Sequence, residues 1–230
     1  MSARKVAYLS IFCIITTYAW VALLIYDIAV RGPVDTYAQA KIAFRRTDWL
    51  FYATYLNAGL LTLAAAALMS GLFRLFRPLY PLATSIAHTF VPAYALLNLV
   101  CYLSQVSILP ALSRMYEQSP GTIDLLGTLL LQSWSGSALT ALNLLAYAIL
   151  AIPSIIYGWA LLRYGKLAAS AGWLLILNGL ACILGFAGLV VQNAALSTGA
   201  MIGGFLYAVA LIPLSIWLWR SPNIAPQSHA

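Results

Sequence analysis

Apolar residues along this chain fall into six long blocks separated by short polar segments. The blocks run from about Val6 to Val30, Trp49 to Phe73, Tyr80 to Leu109, Ser137 to Leu162, Leu167 to Val191 and Thr198 to Trp219. Each is long enough for the ~20 residues a helix needs to cross a hydrocarbon core. The strict alternation of an outer-membrane strand is absent. The pattern therefore predicts helices, which satisfy their own backbone groups in lipid. The expected fold class is all-α: a polytopic six-helix transmembrane bundle over residues 1–219 with a short outer interfacial helix. The tail "SPNIAPQSHA" is polar and rich in Pro and Ser, so residues 220–230 read as a disordered cytoplasmic tail.

The N-terminus "MSARKVAYLSIFCIITTYAWVALLIYDIAV" begins like a signal peptide. Its apolar core is too long for one and lacks a clean small-x-small site, so it reads as a retained first helix. Two outer segments exceed simple turns. In "RGPVDTYAQAKIAFRRTDW" a Gly-Pro turn comes first, and Thr36 or Asp35 is placed to cap a short helix from Tyr37. Ile42 and Phe44 then dip into the interface while Lys41, Arg45 and Arg46 reach phosphates. The other segment holds an apolar run from Ile123 to Trp134, too short to span. It is interfacial, re-entrant or an extension of a neighbouring helix. Pro92, Pro153 and Pro213 fall inside the third, fourth and sixth spans, where kinks are expected.

Composition makes lipid the main solvent. The chain is 63% hydrophobic and 7% charged, whereas a soluble domain has roughly a quarter of its residues charged. The net charge of +7 does not point to nucleic acid, because the few cations sit at the ends of apolar blocks. With the N-terminus inside, the inner segments hold seven cations: Arg4, Lys5, Arg74, Arg77, Arg163, Lys166 and Arg220. The outer loops hold five, Arg31, Lys41, Arg45, Arg46 and Arg114, together with every acid: Asp27, Asp35, Asp48, Glu117 and Asp124. The bias predicts a multi-pass membrane protein with both termini cytoplasmic.

Within the spans, Cys13, Cys101 and Cys182 lack metal or redox spacing and read as small buried side chains. Trp20, Trp49, Trp159, Trp217 and Trp219 lie near span ends and read as interfacial anchors. Gly199 and Gly203 form a GxxxG pair in the sixth span, and Gly179, Gly185 and Gly188 mark the fifth. Small residues let backbones approach in lipid, so these two helices are expected to pack on each other. A homodimer through Gly199 and Gly203 is the alternative.

Polar residues inside the spans carry the candidate chemistry. Four consecutive spans hold one asparagine each: Asn57, Asn98, Asn143 and Asn178. The third adds His88, Tyr94 and Gln105. Tyr94, Asn98, Cys101 and Gln105 follow helical spacing and share one face. His88 lies about 80° round the helix from Asn98 and about 12 Å into the span. Such groups either bond neighbouring helices, at about 1 kcal/mol each, or line a pocket. The pocket reading takes Asn57, His88, Tyr94, Asn98, Gln105 and Asn143 as ligand-binding residues, with His88 the near-neutral titrator. Asp27 pairs with Arg31 one turn on. A sharper hypothesis groups Asp27 with Arg45, Arg46 and Asp48 in an outer-mouth cluster that binds an anionic head group or gates a cavity.

Catalytic signatures are missing. The chain has no GxSxG, HExxH, paired intramembrane aspartates, P-loop or dinucleotide fingerprint. With His229 in the tail, the histidines make no metal or haem set, and no cofactor is expected.

Three stretches carry a likeness: "DTYAQAKIAFRRTDWLFYATYLNAG", "IIYGWALLRYGKLAASAGWLLILNGLACI", and the closing small-residue helix with its Trp-Arg end. In these the chain resembles the bacterial membrane family called domain of unknown function 4386. Tyr164, Ala168 and His88 stand where that pattern has serine, proline and arginine. The resemblance implies a six-helix integral membrane protein and lends no activity. Three functions follow as expectations. The first is binding or transport of a small or lipid-like ligand through the polar pocket. The second is a non-catalytic subunit or regulator of another membrane protein. An intramembrane enzyme using His88 or Asp27 comes last.

Overall fold

A computed structural model describes residues 2–221, and within them helix ends fall where the sequence changes character. The helices are α1 (Ala3–Arg31), α2 (Tyr37–Ala43), α3 (Trp49–Phe76), α4 (Pro81–Arg114), α5 (Pro120–Leu130), α6 (Ala138–Leu161), α7 (Lys166–Val190), α8 (Ala194–Ser197) and α9 (Gly199–Arg220). The fold is all-α, 85% helical, with no strand among the described residues. Six of its helices are long and apolar enough to cross a membrane. They match the six apolar blocks, and α4, α6 and α9 continue through Pro92, Pro153 and Pro213. The tail beyond Ser221, including His229, lies outside the described residues.

Local chemistry sets the boundaries. Thr36 Oγ1 accepts from the Gln39 N–H at 3.2 Å, and Gln39 Oε1 accepts from the Thr36 N–H at 2.9 Å. This capping box starts α2 and satisfies otherwise orphaned donors. Asp48 caps α3 by accepting from the Phe51 N–H at 3.1 Å. Gly165 turns the chain into α7 at φ +83, a left-handed conformation that suits glycine.

Contacts group the chain into two compact units. The first contains residues 2–15, Leu63–Ala95 and 144–221. Its centre is the packing of α7 on α9 through small residues. A methyl added at Gly199 would lie 2.5 Å from the Ala181 carbonyl, and one at Gly203 would lie 2.5 Å from Cys182 Sγ. Gly158 and Gly172 bring α6 and α7 equally close, with 2.6 Å from an added Gly158 Cβ to the Gly172 carbonyl. Two polar contacts tie α1 to α9: Ser215 Oγ donates to Ser10 Oγ at 2.7 Å, and Cys13 Sγ meets the Tyr207 hydroxyl at 3.4 Å. The expected association of the fifth and sixth spans is thus made within the chain, and Gly199 and Gly203 are its contact points.

The second unit contains Thr16–Thr62 and Leu96–Asn143. Its core gathers Ala40, Phe44, Phe51, Cys101, Leu109 and Leu131. Phe44, just past α2, is fully buried, and its ring fills the space a side chain at Gly127 of α5 would occupy. Helix α5 stops after 11 residues and is separate from α4 and α6, so the apolar run from Ile123 is not an extension of either.

Two of the five tryptophans differ from the anchor expectation. Trp217 is 6% exposed and stacks on Phe76 at 6.3 Å, while Trp20 packs on the second unit's core. Position near a span end fixes depth but not direction round the helix, and both rings point inward. Trp49, Trp159 and Trp219 are exposed.

Candidate functional site

The polar residues of the second unit form one hydrogen-bonded amide network. It begins on α4, where Asn98, Cys101, Tyr102 and Gln105 are all buried. Asn143 of α6 donates through Nδ2 to Asn98 Oδ1 at 2.8 Å and to the Tyr102 hydroxyl at 3.0 Å. Gln132, in the segment after α5, donates to Asn143 Oδ1 at 3.3 Å.

Gln105 clamps the end of α5. Its Nε2 donates to the Leu130 carbonyl at 2.9 Å, and its Oε1 accepts from the Gln132 N–H at 3.1 Å. A helix end leaves carbonyls without partners, and a side-chain amide here supplies both halves of the missing pairing. Thr140 Oγ1 lies 2.6 Å from the Gln132 carbonyl and 2.7 Å from that of Trp134, fixing the same segment from α6.

One atom of this network has no partner. Asn98 is 0% exposed, its Oδ1 is taken by Asn143, and its Nδ2 has no hydrogen bond. Turning the linked amides of Asn98, Asn143 and Gln132 over together exchanges donor for acceptor and leaves the same position open. A buried polar group without a partner costs on the order of 1–3 kcal/mol.

The other expected pocket residues make separate contacts. Asn57 donates to the Thr16 carbonyl of α1 at 2.9 Å and so joins α3 to α1. Asn178 makes the equivalent bond in the first unit, donating to the Gly203 carbonyl at 2.9 Å. His88 and Tyr94 also belong to the first unit. The His88 ring stacks on Phe73 at 4.3 Å and 6°, with Nδ1 buried and unpartnered. Tyr94 is buried, its ring 6.3 Å from that of Tyr147. Sequence reasoning missed Tyr102 and Gln132. Tyr102 stands one turn after Asn98, and that spacing was the available signal.

At the outer cluster, Arg31 joins Asp27 to Asp48. Its Nη1 lies 2.8 Å from Asp27 Oδ1, a charge contact without an aligned hydrogen bond, and its Nη2 bonds Asp48. Partial burial works to raise the Asp48 pKa. The Phe51 N–H and Arg31 outweigh it and hold the carboxyl below the ordinary aspartate value. Arg46 is within electrostatic reach of Asp27. Arg45 is not part of this group: its guanidinium lies over the Tyr116 ring at 4.3 Å, and its Nε donates to the Lys41 carbonyl at 2.9 Å. The α2–α5 contact carries its own pair, Lys41 Nζ to Asp124 Oδ2 at 3.8 Å.

Among the described residues, no group of three His, Cys, Asp or Glu side chains gathers to hold a metal ion. Comparison with protein-family models, curated proteins and solved structures found no match.

Proposed function

We propose that this chain is a multi-pass protein of the bacterial inner membrane that binds or transports a small or lipid-like ligand at Asn98. The single observation behind this is the open amide position: fully buried, inside a network otherwise paired, and flanked by Tyr102 and Asn143. The chemistry that fits is an apolar body carrying one hydrogen-bonding group, since the guest arrives through lipid and meets one free polar atom. Both termini are placed in the cytoplasm on the basic-residue bias. His88, stacked on an apolar ring, has no catalytic role in this reading.

The test is a wash. Gently solubilised protein is compared with protein stripped by excess detergent, and the melting temperature is read for each. The ligand stabilises only the loaded form, so washing is expected to lower the wild-type Tm and leave Asn98→Leu unmoved. A wild-type Tm indifferent to washing would contradict the proposal.

A second reading, a non-catalytic subunit of another membrane protein, draws on the closure of the remaining groups. Gln105, Gln132, Asn143 and Thr140 bind one another or backbone, as pure structural glue does.

A further inference from the structure

The stretches forming the first unit hold seven cations and neither Asp nor Glu. Its side chains therefore supply no carboxylate to pair with them. Four of these cations sit at two turns. Arg74 and Arg77 lie at the end of α3, Arg163 and Lys166 lie between α6 and the start of α7, and all four are exposed.

Aromatic side chains staple the two turns together. Tyr80 meets Trp159 edge to face at 5.3 Å, and Phe76 meets Tyr164 at 5.7 Å. Burial, then the Tyr80 phenol, pushes Tyr164 up to about 12, so it stays neutral and the staple adds no negative charge.

The guanidinium groups are held but not consumed. Arg163 lies 4.3 Å from the Trp159 ring centre and 5.4 Å from that of Tyr80, and Arg77 lies 5.5 Å from that of Phe73. A ring face restrains the planar cation while its N–H edge stays free to donate in a fork, the geometry that matches phosphate oxygens. Next to this cluster, α4 exposes Leu82 (75%) and Ile86 (46%), an apolar surface suited to acyl chains. Trp159, 42% exposed, has the amphipathic ring favoured at headgroup level.

We propose that these two stapled turns form a binding site for the phosphate headgroup of an anionic phospholipid, with Arg77 and Arg163 gripping the phosphate and the acyl chains lying along Leu82 and Ile86. A zwitterionic lipid offers the same phosphate but brings a cation that four fixed positive charges repel. The exposed apolar side chains beside the cations favour a lipid over free phosphate. The site is independent of the Asn98 position.

The experiment uses the full chain exchanged into equimolar phosphatidylglycerol and phosphatidylcholine, with retained lipid counted by native mass spectrometry. Wild type is expected to enrich phosphatidylglycerol about tenfold or more, from roughly a factor of five per cation near a charged lipid. Arg77→Gln/Arg163→Gln should fall to near parity, while Arg114→Gln keeps the enrichment. Melting temperatures in phosphatidylcholine alone check that each variant is folded. Equal retention of the two lipids by wild type overturns the proposal. So does an unchanged ratio in the double variant, or in Lys166→Gln should the double variant not fold. Displacement of the lipid by millimolar inorganic phosphate also overturns it, in favour of a free-phosphate site.

Discussion

Asn143 donates to Asn98 at 2.8 Å while accepting from Gln132 at 3.3 Å, and through this side chain α4, α6 and the segment after α5 become one network. Removing it breaks three hydrogen bonds at once, to Asn98 Oδ1, the Tyr102 hydroxyl and Gln132 Nε2. Asn143→Leu should therefore cost about 2 kcal/mol, against about 0.6–1 for Asn57→Ala, which loses one bond to a backbone carbonyl. Equilibrium unfolding in mixed micelles measures both. Equal costs would mean the network is not cooperative.

Adjacent glycines on α9 make a sharper contrast. A methyl at Gly203 meets Cys182 Sγ at 2.5 Å and the Asn178 carbonyl at 3.1 Å, whereas one at Gly204 meets nothing within 4 Å. Gly203→Ala is expected to destabilise by about 1–3 kcal/mol through overpacking. Gly204→Ala should be neutral or stabilising, since alanine is the better helix former. Melting temperatures of the two variants check this, and a reversed order would place α9 in a different rotation.

Phe44 and Gly127 form a matched large–small pair between the α2 end and α5. Gly127→Ala drives a methyl to 2.5 Å from the Phe44 ring and should cost about 1–3 kcal/mol. Adding Phe44→Leu should return part of that loss, because the smaller side chain vacates the space. Limited proteolysis of the segment between α1 and α3 reports it, with faster cutting in Gly127→Ala than in the double variant.

Asp48 gives a pH signature. Its folded pKa lies below the ordinary aspartate value, so its contribution is full at pH above about 4. It is lost as the pH falls through the lower folded value. The stability difference between wild type and Asp48→Asn should be present at neutral pH and shrink toward zero on acidification below pH ~4. The effect is small, because the side chain is 53% exposed. A difference that grows on acidification would contradict the assignment.

The six spans were legible because lipid imposes a length and a composition on each, and their ends fell within a few residues of the helices formed. The buried face Tyr94, Asn98, Cys101 and Gln105 was legible from helical spacing. Partner choice was not. Periodicity says which residues share a face but not which face of another helix it meets. The pocket reading therefore grouped His88 with the asparagines without revealing Phe73, and the outer-mouth hypothesis grouped Arg45 with the acids without revealing Tyr116. The Asp27–Arg31 pair was readable because both members sit on one helix. Gln132 was invisible because its role depends on where α5 ends.

The most direct measurement of the central claim is native mass spectrometry of the gently solubilised full chain. Besides any phospholipid held at Arg77 and Arg163, a second bound species, a small molecule or lipid, is expected on wild type, retained by Asn57→Ala and by Arg77→Gln/Arg163→Gln and lost from Asn98→Leu. A wild-type protein without this second adduct, or one on which it survives Asn98→Leu, would contradict a ligand site at Asn98.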